Sequence, residues 1–133
     1  MTKRVVALAA MLLASGVAVA AHHSISGAYD TNRSVTVEAT VTRFRFINPH
    51  PFLDVEVKDP SGATQVWQLE LDNRGELAGI GVTAETFKAG DRVAVSGSAS
   101  RINQRSLYVR KLVRPADGFE YEQVGSSPRI RQR

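Results

Sequence analysis

The chain has 133 residues, 43% of them hydrophobic and none of them cysteine, so a single globular domain is expected and disulfide frameworks and thiolate metal sites are excluded. The formal net charge of +4 comes from basic residues near the two ends, namely Lys3, Arg4, Arg129, Arg131 and Arg133. The body between them is nearly neutral, and nucleic-acid binding is therefore not indicated.

Residues 1–21 have the layout of a secretory signal peptide. A basic pair precedes an apolar run over residues 5–13, and small residues follow up to Ala20 and Ala21. The apolar run is too short to cross a bilayer, which takes about 20 residues, so no membrane span is expected after cleavage. We therefore expect a periplasmic or secreted protein whose signal peptide is removed after Ala20 or Ala21.

Either cleavage places histidine at the front of the mature chain. Cleavage after Ala20 leaves His22 and His23 as the second and third residues, whereas cleavage after Ala21 leaves His22 first. The α-amine, backbone amides and an imidazole then lie within one chelate's reach, and this nitrogen set suits Cu(II) or Ni(II). Adjacent histidines also occur in N-terminal arms that bind nothing. Of these two metals, copper is the cofactor that we expect.

The next segment is predicted to lead into a long first strand. Residues 22–33 are polar and turn-rich and are expected to form an arm, with Tyr29 as a candidate anchor. Alternating apolar residues predict the strand itself over residues 34–47. The apolar phase slips by one residue beyond Arg43, which predicts a bulge or a sharp coil over residues 42–44.

The first strand ends at a stiff corner, Asn48-Pro49-His50-Pro51. Each proline fixes its own φ and biases the preceding residue to extended geometry, so Asn48 and His50 are held out of helix. We expect the imidazole at an exposed tip between strands, where ligand-binding residues collect. The alternative is a structural corner whose histidine hydrogen-bonds only to backbone. Asn48 and His50 are the candidate ligand-binding residues, and His50 is also a candidate metal ligand.

The patterns in the rest of the domain predict strands with one helical interruption. Period-two patterns predict further strands over residues 53–58, 64–71, 91–99 and 106–113. Helical spacing over residues 73–90 predicts one or two short helices, with Thr83 as a plausible N-cap. The predicted core residues are Leu53, Val55, Trp67, Leu69, Val93 and Val95. Gly97 is expected to mark a bend or a close approach of two strands.

Five strands with a short helical segment between the third and fourth predict an all-β, OB-fold-like Greek-key barrel. This domain is expected to span residues 34–118 and to be followed by a polar, basic tail over residues 119–133. In an OB-fold, the corner at His50 is the loop between strands 1 and 2. That loop is one of the two that this fold commonly uses for binding.

Several short motifs also occur together along the chain. They are Ala21-His22-His23-Ser24, Asp30, Asn48-Pro49-His50, Gly62, Trp67, Glu70, Gly90-Asp91 and Gly97. With the signal peptide, they resemble a family of small exported bacterial proteins of unknown function. The chain departs from the family in having Phe46 where tryptophan is usual and Asn103 near a usual glycine. The resemblance implies export and a small β fold, and it implies no established activity.

Two classes of function follow from these observations. The first is a periplasmic metal-binding protein that uses His22, His23 and His50. The second is a non-metal OB-like module that binds a small molecule, a glycan or a periplasmic partner protein at the loop between strands 1 and 2. An enzyme is not expected, because no nucleophile–base pair is visible and the acidic residues of strands 2 and 3 alternate as solvent-facing residues do.

Overall fold

The computed structural model describes residues 25–132, which are mostly β. The strands are β1 (Tyr29–Arg45), β2 (Phe52–Lys58), β3 (Thr64–Glu70), β4 (Arg92–Ser100), β5 (Ser106–Arg114), β6 (Phe119–Val124) and β7 (Ser127–Arg131). They form one seven-stranded sheet in the order β3-β2-β1-β4-β5-β6-β7, in which neighbours are antiparallel. A mostly β fold is confirmed, but two strands lie beyond the five that were predicted.

β1 is long and passes from one partner strand to another. Its first part pairs with β4 and its last part pairs with β2. The register against β2 shifts between Val41 and Arg43, which confirms the predicted bulge. The Thr42 hydroxyl, inside the shift, donates to the backbone carbonyl of Asp54 at 2.9 Å. A hydrogen bond from the bulge itself therefore helps to hold the bend of β1 against β2.

A parallel pairing connects β3 to β5. Residues 68–70 of β3 lie opposite residues 106–108 of β5. Because β3 is also joined to β5 through β2, β1 and β4, the pairings of these five strands run in a cycle. The core lies among them, and every predicted core residue on β2 and β4 is buried. Trp67 is only half-buried and packs against this core from β3.

Gly97 confirms the predicted close approach of two strands. A Cβ atom at this position would collide with the backbone carbonyl of Tyr108 on the neighbouring strand. The register between β4 and β5 also shifts between Ser96 and Gly97. Only a residue without a side chain fits here.

The predicted start of the first strand is wrong. Tyr29 and Asp30 pair with the end of β4, residues 31–33 then have no partner in this ladder, and pairing resumes at Ser34. Because of this break, the alternation of apolar residues does not extend to the first pairs of the strand. Tyr29 is buried, and its ring centroid lies 5.7 Å from that of Tyr108. It therefore anchors the start of the chain that the structure describes.

The predicted tail over residues 119–133 is also corrected. β6 and β7 form an antiparallel hairpin that extends the sheet beyond β5. Phe119 and Tyr121 on β6 are each 1% exposed and belong to the core cluster. Their alternation with Glu120 and Glu122 is a strand pattern with one buried face. The many polar and charged residues of this segment had led to the prediction of a polar, basic tail.

Between β3 and β4 the chain forms one helix, α1 (Arg74–Gly79). The Asn73 side chain caps it by accepting hydrogen bonds from the backbone N–H groups of Gly75 and Glu76. Thr83 begins a turn and not the second helix for which it was the expected N-cap. Residues 25–28 are also helical. No helix within residues 25–132 is long and apolar enough to cross a membrane.

Candidate functional site

The corner between β1 and β2 folds back against the start of α1. The Asn48–Pro49 peptide bond is cis, and the Pro49 carbonyl accepts a hydrogen bond from the Arg74 N–H at 3.0 Å. The Arg74 side chain also donates to the Phe46 carbonyl at 3.1 Å and lies 4.6 Å from the centre of the Phe46 ring. These contacts pin the corner to the segment that follows β3.

The His50 imidazole is turned inward, and the prediction of an exposed tip is wrong. Its side chain is 18% exposed, with Nδ1 2.9 Å from the Leu71 carbonyl oxygen and 3.2 Å from Glu70 Oε1. A carbonyl oxygen can only accept, so Nδ1 carries the hydrogen and donates it. Among the residues described, the polar contacts of the ring are made by Nδ1. In the neutral imidazole, Nε2 therefore keeps its lone pair for a ligand.

Glu70, the last residue of β3, joins His50 to Tyr29. Its Oε1 lies beside His50 Nδ1, and its Oε2 accepts a hydrogen bond from the Tyr29 hydroxyl at 2.5 Å. Tyr29 is the first residue of β1, and His50 follows the end of that strand. One carboxylate, itself 17% exposed, thus connects the start of β1 with the corner after it.

The Glu70 carboxylate raises the pKa of both partners. Its hydrogen bond to the imidazole is the largest cause that raises the pKa of His50 above its ordinary value, and it outweighs burial, which acts in the opposite direction. Burial and the hydrogen bond to Glu70 also raise the pKa of Tyr29. Tyr29 therefore keeps its proton and remains a hydrogen-bond donor to the carboxylate.

A second carboxylate, Asp72, is buried near His50 and raises the pKa of that imidazole further. Its Oδ1 accepts a hydrogen bond from the Asn73 N–H at 2.7 Å, and its Oδ2 accepts one from the Gln123 side chain at 2.7 Å. Gln123 in turn accepts a hydrogen bond from the Tyr121 hydroxyl at 2.9 Å. The β6–β7 hairpin, which was not predicted from the sequence, thus contacts the site through the hydrogen bond from Gln123 to Asp72.

The ring of Tyr108 lies beside those of His50 and Tyr29. Its ring centroid lies 6.4 Å from that of His50, and the guanidinium carbon of Arg110 lies 5.1 Å from the centre of the Tyr108 ring. Burial and the charge of Asp72 raise the pKa of Tyr108. The polar groups of the site are therefore held against an aromatic side chain that stays neutral.

The structure does not bring the predicted site residues together in one place. His50 lies in the cluster with Glu70 and Tyr29, whereas Asn48 is exposed and takes no part in the cluster's hydrogen bonds. His22 and His23 lie outside the described residues. Within residues 25–132, no three His, Asp or Glu side chains form a group that could hold a metal ion. The described part of the site supplies one imidazole nitrogen and the groups that orient it.

Comparison with known proteins identifies a family for this chain. No curated protein matches it, and no solved structure matches it. A family model matches residues 9–107, which include the paired histidines, the His50 corner and Glu70 and end within β5. The matched segment is well over half of the sequence, and the chain therefore belongs to the family of unknown function DUF6152.

Proposed function

We propose that this protein is exported, loses its signal peptide after Ala20 or Ala21, and binds one Cu(II) ion. The ligands are the new N-terminal amine, intervening backbone amides, the imidazole of His22 or His23, and Nε2 of His50. Nitrogen ligands in this number and kind suit Cu(II). The role is binding and not catalysis.

The observation that carries this proposal is the contact of Tyr29 and His50 with one carboxylate, that of Glu70. A straight strand of the 17 residues in β1 spans roughly 56 Å at 3.3 Å per residue, which separates its two ends widely. The coil of β1 removes this separation. His23 precedes Tyr29 by six residues, which span at most about 21 Å. That length of chain is enough, in this proposal, for the N-terminal histidines to reach His50.

The surroundings of His50 are those of a prepared metal ligand. A histidine that binds a metal through one ring nitrogen usually donates the other ring N–H to a carboxylate or a backbone carbonyl. His50 Nδ1 faces both kinds of acceptor, the Leu71 carbonyl and Glu70. This arrangement directs copper to Nε2 and fixes the plane of the ring.

The five strands β1 to β5 form an OB-fold barrel in this proposal. Support comes from the cycle of pairings that the parallel β3–β5 contact completes and from the position of α1 between β3 and β4. In that fold, the loops after strands 1 and 4 flank the binding face. Residues 46–51 and 101–105 take these places, and the β6–β7 hairpin is an addition to the barrel.

Calorimetric titration of the mature protein with Cu(II), with glycine as a competing chelator, tests the proposal. We expect one ion per chain and a loss of affinity in His50→Ala at least as large as the roughly 10–100-fold cost of losing an outer-shell partner. Asn48→Ala is the matched control, because this exposed neighbour lies outside the cluster. A tag at the mature N-terminus should also weaken binding. Unchanged affinity in both the tagged protein and His50→Ala refutes the proposal.

A second candidate function is the binding of a small organic molecule away from the corner. A groove of about 960 Å³ is lined by residues of β1, β2 and β4 together with Pro115 and Ala116. This volume lies within the range of roughly 300–1,000 Å³ that ligand pockets occupy. Screening small molecules by NMR tests it. Shifts at residues 36–40 and 56–58 that leave His50 unmoved favour this candidate.

A further inference from the structure

We infer that the groove across β2, β1 and β4 binds a zwitterion of the length of a tripeptide, with its cationic end at Glu56 and its anionic end at Arg92. This inference rests on the second candidate function, the binding of a small organic molecule in this groove. It adds the chemical class of that molecule and the direction in which it lies.

The floor of the groove is the outer face of three paired strands. Thr40 on β1 lies opposite Glu56 on β2 and, on its other side, opposite Arg92 on β4. Cross-strand partners point to the same face of a sheet, so these three side chains form one row. The next residues along β2 and β4, Val57 and Val93, are buried on the opposite face. The row therefore faces outward, and all three of its members line the groove.

This row carries opposite charges at its two ends. Neighbouring strands lie about 4.8 Å apart, so the Cα atoms of Glu56 and Arg92 are roughly 10 Å apart, with Thr40 between them. Within residues 25–132, neither charged side chain forms an ion pair or a hydrogen bond. By contrast, Asp54, two residues before Glu56 on β2, is held by two arginines. The groove thus keeps one acid and one base apart on its two sides.

The other charged residues that line the groove do not change this polarity. The register of β1 and β2 places Glu38 and Lys58 on adjacent strands in the next row. Because their charges are opposite and close together, their fields largely cancel at longer range. Asp91 is paired with Arg114 at 2.8 Å. Glu56 and Arg92 therefore remain the two charges that a ligand can neutralise.

Two separated charges of opposite sign favour a ligand that carries both. A simple anion would be attracted by Arg92 and repelled by Glu56, and a simple cation would meet the reverse. A zwitterion satisfies both when its charges are roughly 10 Å apart, which is the length of an extended tripeptide at about 3.4 Å per residue. Apolar surface for the side chains of such a ligand comes from Ala94, Pro115 and Ala116.

NMR titration of the protein with the tripeptide trialanine tests the inference. Trialanine has a free ammonium group, a free carboxylate and three apolar side chains, and its acetylated and amidated forms each lack one charge. We expect the amide signals of residues 36–40, 56–58 and 92–94 to shift. Each blocked form should bind roughly 2–5-fold more weakly, which is the size expected of one exposed ion pair.

Two variants assign each end of the ligand to one side of the groove. Trialanine and its amidated form should bind Arg92→Gln equally, because the partner of the carboxylate is gone. Trialanine and its acetylated form should bind Glu56→Gln equally for the corresponding reason. Both side chains are exposed, so neither change should unfold the protein. Arg129→Gln and Glu76→Gln are the matched controls, since these exposed residues lie outside the groove.

The outcomes separate the ligand class from the candidate function beneath it. If trialanine leaves the groove residues unmoved, or binds as tightly when both of its ends are blocked, the zwitterion is refuted. Any other small molecule that shifts these residues then keeps the second candidate function. If no molecule of the screen shifts them, that function fails together with its ligand class. An effect of amidation that disappears in Arg92→Gln and persists in Arg129→Gln supports the inferred direction.

Discussion

His50 Nδ1 lies 2.9 Å from the carbonyl oxygen of Leu71, and this contact decides which ring nitrogen is free to bind a ligand. The carbonyl can only accept, so Nδ1 must donate and Nε2 carries the lone pair of the neutral ring. Glu70 lies on the same nitrogen at 3.2 Å and connects it to Tyr29. The corner is therefore both a rigid connection and a candidate ligand whose orientation is fixed in advance.

The raised pKa of His50 predicts how the stability of the metal-free protein depends on pH. Protonation of the ring strengthens the hydrogen bond that Nδ1 already donates to the Glu70 carboxylate, so its contribution to stability is fully present below the ordinary pKa of about 6.5. It is lost as the pH rises through the higher pKa of the folded state. NMR titration should place the His50 midpoint above the ordinary value and lower in Glu70→Gln. A midpoint at or below that value contradicts the contact.

The lowered pKa of Asp54 predicts that its contribution to stability depends on pH in the opposite direction. Burial raises the pKa of this carboxyl, but hydrogen bonds from Arg45 and Arg43 outweigh burial and hold it below its ordinary value. Its contribution is present above about pH 3.9 and is lost as the pH falls through the lower pKa of the folded state.

Urea denaturation between neutral and acidic pH checks this prediction. Asp54→Asn should lower the free energy of unfolding by about 1–3 kcal/mol at pH 7, the size expected of hydrogen bonds to a charged group. The difference from the wild type should shrink in acid. Glu56→Gln, an exposed position on the same strand, is the control. A difference that stays constant from pH 7 to pH 2 argues against the ion pairs.

Gly97→Ala should destabilise the fold by about 1–3 kcal/mol or more, as overpacking does. The added methyl group meets the backbone carbonyl of Tyr108, which cannot rotate away. Gly79→Ala at the end of α1 is the matched control, because no atom lies within 4 Å of its added Cβ. It should be neutral or stabilising by up to about 1 kcal/mol. Equal thermal midpoints for the two variants would disprove the close approach.

Phe119→Ala should cost about 3–5 kcal/mol of unfolding free energy, because this ring is 1% exposed. It packs edge to face on Phe87, with ring centroids 5.3 Å apart. Val124→Ala on the same strand is the control, since Val124 is 39% exposed. If the two changes cost equally little in chemical denaturation, the β6–β7 hairpin is not part of the core.

Local patterns in the sequence predicted the central strands correctly. The slip in the apolar phase near Arg43 predicted the bulge because a bulge shifts the buried face by one residue. Gly97 predicted a close approach for an equally local reason. Most core residues followed from alternation, although Trp67 is only half-buried.

Features that depend on distant contacts were missed. The first pairs of β1 are separated from the rest by the unpaired residues 31–33, so alternation could not reveal them. The β6–β7 hairpin was obscured by its charged outer face, where glutamates on β6 lie opposite arginines on β7, although the alternation of Phe119 and Tyr121 with glutamates was a usable signal.

The candidate site was predicted only in part, for the same reason. The prolines around His50 are a local signal and drew attention to the corner. Glu70 was interpreted as solvent-facing, because only the coil of β1 brings Tyr29 and His50 to the end of β3. Nothing in the spacing of these three residues indicates that they meet.

Pulsed EPR of the mature protein loaded with one equivalent of Cu(II), compared with the same measurement on His50→Ala, tests whether His50 shares the copper site with the N-terminal histidine. We expect the wild-type spectrum to contain imidazole nitrogens from the N-terminal histidine and from His50, and we expect one set to disappear in the variant. Identical spectra for the two proteins would show that His50 is not a ligand and would contradict the shared site.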